Sequence, residues 1–182
     1  HNTMMFNGDL NQVVFSPYWN VPESIVENEI LPEIAKNPNY LAEQNMEIIG
    51  ENDGIPEIRQ LPGEKNSLGK VKFLFPNSYN IYFHDTPAKS LFEKNRRAYS
   101  HGCIRLNEPK KMAQYLLQND PSWDEEKIEE AMNSGKEKYV KLKDPSAVFI
   151  TYYTAWVDEN GKLNFRDDIY DHDKKISRKM FS

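Results

Sequence analysis

The chain holds one cysteine, four histidines and no long apolar run. A single cysteine excludes an internal disulfide framework and leaves the redox compartment open. The longest apolar stretches, such as Val148-Phe149-Ile150, fall far short of the roughly 20 residues a helix needs to cross a bilayer. Neither a CxxC pair nor an HExxH motif is present, so the common metal-ligand spacings are missing. Positive charge is also short, with 23 Lys and Arg against 28 Asp and Glu for a net −5. That balance offers no basic face for a nucleic-acid partner, and most of the charges read as a solvated surface. There is no internal repeat and no stretch biased enough for a linker. The first residue is His1, without an initiating methionine or a hydrophobic leader, so the chain reads as a fragment from which a signal peptide or anchor has been cut.

What is present is a folding body. At 182 residues, one domain, or one domain with a small insertion, buries roughly 70% of its unfolded surface and needs no staples. Residues 11–15 read as a strand ending at Ser16-Pro17, and Pro22 suits the first turn of a helix reaching Glu29. Pro32 and Pro38 divide the next stretch into short helical pieces ending near Gln44. Residues 50–70, with Gly50, Gly54, Pro56, Pro62, Gly63 and Gly69, read as a long exposed loop, a candidate lid. Strands are expected over Val71–Phe75 and Ile81–His84, and Thr86-Pro87 opens a helix to about Lys94. Asn107-Glu108-Pro109 starts another helix to Asn119, and Ser122 with Glu125 forms a capping box for a helix closed by Gly135. Residues 147–157 carry bulky side chains on both faces and read as a central strand, turned by Asp158–Gly161 into a hairpin with Lys162–Arg166. The sum is α+β, a mostly β core with peripheral helices.

Cys103 lies in Ser100-His101-Gly102-Cys103-Ile104-Arg105. Glycine before the thiol lets successive N–H groups point at one spot. Arg105 and His101 make the surroundings electropositive, which favours thiolate over a thiol whose ordinary pKa is about 8.5. A nucleophilic thiol needs a base. His1 is terminal and His172 sits between two aspartates, which leaves His84 and His101. His84 ends a strand before a helix cap, with Tyr82 on the same strand face as a wall of the site. Zinc held by His84, His101, Cys103 and Asp85 competes for the same side chains, though without a recognised ligand spacing. Tyr18-Trp19 offers an aromatic surface for a sugar, or simply packing beneath a helix start.

His84, followed after fifteen residues by Ser100-His101-Gly102-Cys103 and then Ile104-Arg105, resembles the signature of the L,D-transpeptidase catalytic (YkuD-type) domain. Ser16–Pro22, Arg59-Gln60, Pro62-Gly63, Gly69, Lys72-Phe73, Phe75-Pro76-Asn77, Ile81–Pro87 and Thr154–Asp158 resemble its large periplasmic, YcbB-like branch. The likeness covers roughly residues 11–170. It implies a sandwich-like β core with peripheral helices and a capping loop or subdomain, with a first strand upstream of Asn11 lying outside this chain.

The resemblance also implies chemistry. Cys103 would attack the L,D-peptide bond of a tetrapeptide stem, release D-alanine, and pass the acyl group to a diamino-acid amine as a 3→3 cross-link. His84 would be the base, oriented by the main-chain carbonyl of Asp85, and the N–H groups of Gly102 and Cys103 would form the oxyanion hole. Asp85, ionised, would raise the pKa of His84. Arg105 would pair a substrate carboxylate or hold the loop, while His101 and Ser100 would shape the turn or touch substrate. No cofactor and no metal are implied. The partners implied are peptidoglycan stem peptides and carbapenem-type β-lactams, in the periplasm, with export or membrane anchoring supplied by an N-terminal region. Water or a protein amine as acceptor would make the same site an L,D-carboxypeptidase or a protein–wall attachment enzyme. A non-catalytic wall-binding module is the reading from a different class.

Overall fold

A computed structural model describes residues 4–99 and 102–181. Strands β1 (Phe6–Phe15) and β2 (Trp19–Asn20) lead into a helical run of α1 (Glu23–Ile25), a π-helical turn over Val26–Ile30 and α2 (Leu31–Lys36), then α3 (Tyr40–Glu43). After them come β3 (Met46–Asn52), β4 (Ile55–Gln60), β5 (Val71–Leu74), β6 (Phe83–His84) and β7 (Ile104–Arg105). Helices α4 (Pro109–Leu117) and α5 (Glu125–Asn133) precede the long β8 (Lys138–Ile150), and β9 (Ala155–Val157), β10 (Leu163–Phe165) and α6 (His172–Met180) complete the order.

The main sheet has the order β7-β6-β5-β1-β8. Its pairs are antiparallel except β6 with β7, which run parallel. Register explains how the sheet divides labour between its faces. Opposed residues Val140, Val13, Phe73, Phe83 and Ile104 form one row across all five strands. The row is apolar and packs against Ala113, Leu116 and Leu117 of α4 and Ile128, Ala131 and Met132 of α5. The next residue on each strand points the other way, and that row reads Tyr139, Val14, Lys72, His84, Arg105. Helices therefore cover the apolar face, while the opposite face collects polar chemistry at its β6–β7 end. Ser16, in the left-handed region at φ 45°, is buried and bonds the Ala131 carbonyl at the end of α5 at 2.9 Å, tying β1 to that helix.

A second sheet, β2-β4-β3, and the helices before it enclose a separate core of Val21, Ile25, Val26, Ile30 and Ile58. This unit is inserted between β1 and β5. It overturns the reading of residues 50–70 as a long exposed loop: Asp53-Gly54, both at positive φ (49° and 82°), make the tight turn of the β3–β4 hairpin. The remaining stretch is pinned by buried Asn66, whose amide donates to the carbonyls of Pro17 (2.9 Å) and Leu61 (3.0 Å) while its oxygen accepts from Leu68 N–H (2.8 Å). The glycines and prolines mark turns, not length of loop.

Other expectations shift by register or by a few residues. Residues 147–157 are not one central strand. β1 is an interior strand, β8 is an edge strand buried on one side only, and Phe149 on it is 70% exposed. The hairpin beyond it is a separate two-stranded ribbon, β9 with β10. The cap of α5 is Asp124, which accepts from Lys127 N–H, rather than Ser122. Pro32 sits in the first turn of α2 and does not end the helical run. The helix expected after Thr86-Pro87 is a single 3₁₀ turn, Lys89–Glu93. Among the described residues no helix is long and apolar enough to cross a membrane.

Candidate active site

The parallel pairing of β6 with β7 sets Phe83 opposite Ile104 and His84 opposite Arg105. Ile104 N–H donates to the Tyr82 carbonyl at 3.1 Å and Leu106 N–H to the His84 carbonyl at 2.8 Å. Two-residue periodicity then puts Tyr82 and His84 on one face of the first strand, and Cys103 with Arg105 on the same face of the second. The Tyr82 and His84 rings meet edge to face, centroids 5.9 Å apart. The backbone N–H and the side chain of Tyr82 both act on the Cys103 sulfur in the sense that favours its thiolate. Cys103 Sγ also lies 3.8 Å from the Asn80 carbonyl oxygen. Gly102, immediately before it, has φ +134°, a conformation other residues rarely adopt.

His84 is 5% exposed. Its Nδ1 is 2.5 Å from the Asp85 carbonyl oxygen, so that nitrogen carries the proton and Nε2 has its lone pair directed elsewhere. Burial pushes the imidazole down to about 4; the Asp85 hydrogen bond and charge oppose this, and Arg105 and Lys89 add to it. Burial also pushes the Cys103 thiol up, partly offset by the two bonds from Tyr82, and it pushes the Tyr82 phenol up as well. Burial thus works against the thiolate expected from Arg105 and His101, of which His101 lies outside the described residues. Desolvation disfavours both charged forms, thiolate and imidazolium alike. The carboxylate of Asp85 does favour imidazolium, but burial outweighs it.

That carboxylate is taken up by the turn before β5 and by its own neighbours. It accepts from Lys70 N–H at 2.9 Å, from Thr86 N–H at 2.7 Å, and from the Lys89 ammonium at 2.7 Å. Gly69, at φ +61°, is required there, because a Cβ would collide with the Asp85 carboxylate. With its oxygens so occupied, Asp85 is a poor fourth zinc ligand. Among the described residues, which do not include His101, no group of three or more His, Cys, Asp or Glu is arranged to hold a metal ion.

Arg105 stands beside His84 and donates from Nη2 to the Tyr99 carbonyl at 3.5 Å, while its Nε is buried and finds no partner among the described residues. Ser100 and His101 lie outside the described residues. His172 packs in an aromatic cluster with Tyr152 and Tyr170 near the end of the chain. Tyr18 stacks under the Arg59 guanidinium at 4.2 Å, a packing role. Pattern reading missed three contributors: Asn80, Lys89 and Asn77. Asn77 organises the preceding turn by donating to the carbonyls of Phe75 (2.6 Å) and Ile81 (2.7 Å). An asparagine in a turn was a visible signal, but the approach of the Asn80 carbonyl to the thiol is purely tertiary.

The family model of the L,D-transpeptidase catalytic domain (YkuD) matches residues 1–123. Over 191 residues the chain is 31% identical to a protein of Haemophilus influenzae (strain Rd) named "Putative L,D-transpeptidase". That match covers 96% of this chain and 38% of the relative, so the chain spans well under half the length of the curated protein it resembles.

Proposed function

The chain belongs to the L,D-transpeptidase catalytic-domain family, and we propose that it cross-links peptidoglycan stem peptides through a Cys103 thioester. The observation that carries this is the buried imidazole of His84, locked by the Asp85 carbonyl into the tautomer whose Nε2 accepts a proton, on the strand paired with that of the cysteine.

In this reading the thiol attacks the carbonyl carbon of the L,D-peptide bond after the third stem residue, and its proton passes to His84 Nε2 as the C–S bond forms. Proton transfer accompanies attack in this reading, because burial disfavours both thiolate and imidazolium beforehand. The oxyanion is held by the N–H groups of Gly102 and Cys103; one such donor is worth about 10²–10³ in turnover. The imidazolium returns the proton to the departing nitrogen, the C–N bond breaks, and D-alanine leaves. A diamino-acid amine of a second stem then attacks the thioester and gives a proton to His84. The thiolate departs toward the two Tyr82 donors and is reprotonated by the imidazolium, leaving a 3→3 linkage. Arg105, without a carboxylate partner among the described residues, is the group that would pair a stem carboxylate. An envelope location facing peptidoglycan, in the periplasm, follows from this substrate.

Incubation with a carbapenem and then intact-mass measurement tests the nucleophile. The expected result is a one-to-one adduct that is absent from Cys103→Ala. A folded wild-type protein that stays unmodified, or an adduct that persists in Cys103→Ala, would refute the assignment.

A further inference from the structure

We propose that Lys89 is a positioning residue for this reaction, its single ammonium joining the segment that orients the base to the strand that carries the nucleophile. The role assigned rests on the thiol–imidazole reading above; the contacts do not.

An ammonium has three N–H donors and no acceptor. Lys89 Nζ has three oxygen acceptors in reach: Asp85 Oδ1 at 2.7 Å, the Leu106 carbonyl at 2.9 Å and the Asn107 carbonyl at 2.9 Å. The first belongs to the residue whose own carbonyl fixes His84 Nδ1. The other two lie immediately after Arg105, at the end of the strand entered from Cys103. β6 and β7 are only two residues long, so their ladder alone gives little purchase on relative register. Asp85 is in turn fixed from its far side by Lys70 and Thr86 N–H, over a Gly69 whose missing side chain makes room for the carboxylate. The chain of contacts runs Gly69, Asp85, Lys89, Leu106-Asn107, and so joins the segment after His84 to the segment after Arg105.

Two features separate this role from general packing. The Lys89 side chain is 41% exposed, so its replacement removes little buried surface. Its charge also acts on the base. His84 is faced by Tyr82 just before it, by Asp85 and Lys89 beyond it, by Arg105 on β7, and by Lys72 across on β5. Of these, Lys89 and Asp85 pull its protonation in opposite senses.

The test uses Lys89→Met, Lys89→Arg and Asp85→Asn in the full chain. Two readouts are taken: the carbapenem acylation rate by intact mass, and the titration of the His84 ring by NMR. Lys89→Met is expected to slow acylation at least tenfold with His84 titrating higher than in the wild type. Asp85→Asn is expected to move His84 the other way, and Lys89→Arg to restore part of the rate. Acylation within twofold of wild type in folded Lys89→Met, or the same direction of His84 shift in both variants, overturns the proposal. If Lys89→Met does not fold, Lys89→Arg and Asp85→Asn carry the same two readouts. Absence of a wild-type adduct would defeat the functional reading alone; opposed His84 shifts would then support the linkage as structure, and parallel shifts would overturn it independently.

Discussion

Replacing His84 with glutamine should change how the protein responds to acid, and the size of the change is set by where the ring sits. In the folded protein the imidazole titrates at about 4, against about 6.5 in an unfolded chain. Between those values the unfolded state binds a proton that the folded state refuses, so stability rises with pH. The contribution is fully present above about pH 6.5 and is lost as the pH falls toward 4, where both states are protonated. At about 1.36 kcal/mol per pH unit, the gap amounts to about 3 kcal/mol. The ring is almost wholly buried, so solvent screening takes little from this figure. Carboxylates titrate in the same window, but they are common to both proteins, and the difference between wild type and His84→Gln isolates the imidazole. Urea unfolding at half-unit steps from pH 4 to 7.5 measures it. The stability advantage of wild type over the variant should shrink by about 3 kcal/mol on acidification. A flat difference would mean that the ring is solvated. An advantage that grows on acidification would mean an imidazolium paired with a thiolate, the opposite electrostatic state, and would refute the neutral pair.

The thiol makes a matching prediction: iodoacetamide alkylation of Cys103 should rise with pH through a midpoint above that of a free cysteine, because burial disfavours the thiolate. Tyr82→Phe, which removes a hydrogen bond to the sulfur, should push that midpoint higher still; a midpoint at or below the free-cysteine value contradicts both. Gly69→Ala should cost about 2–4 kcal/mol in urea unfolding, from a strained positive φ and a collision with the Asp85 carboxylate; a neutral substitution would show that the carboxylate is not held there. Asn66→Ala strands the Pro17 and Leu61 carbonyls and the Leu68 N–H in a buried turn, and should cost about 2–4 kcal/mol. A loss under about 0.5 kcal/mol, the scale of an ordinary surface substitution, would contradict that turn as the anchor of the inserted unit.

Some parts of this molecule are legible in the sequence because they are local. The contiguous Ser100–Cys103 motif and His84 identify the family, and strand alternation correctly put Tyr82 beside His84. Asp158–Gly161 reads as a hairpin turn from composition alone, and the Asp158 carbonyl does accept from Gly161 N–H at 3.0 Å. What failed was long-range. Residues 50–70 are rich in glycine and proline, and nothing local distinguishes a mobile loop from a tight hairpin followed by a turn held by one buried asparagine. The stretch over 147–157 reads as doubly covered from its bulky residues, yet only register against β1 reveals that Phe149 faces solvent. Counting Arg105 near Cys103 favours a thiolate, whereas burial, which depends on the whole sheet, pushes the thiol the other way. Lys89 is far along the chain from the strand it holds, so no spacing rule would have found it.

The most direct measurement of the Cys103 mechanism is a reaction with purified tetrapeptide muropeptide, following free D-alanine, protein mass and cross-linked dimer together. D-alanine release with a transient acyl adduct on Cys103, then a 3→3 dimer, is expected, with all three abolished in Cys103→Ala. Tripeptide without dimer at saturating acceptor would replace transfer by hydrolysis. Release of D-alanine that survives in Cys103→Ala would contradict the thiol mechanism.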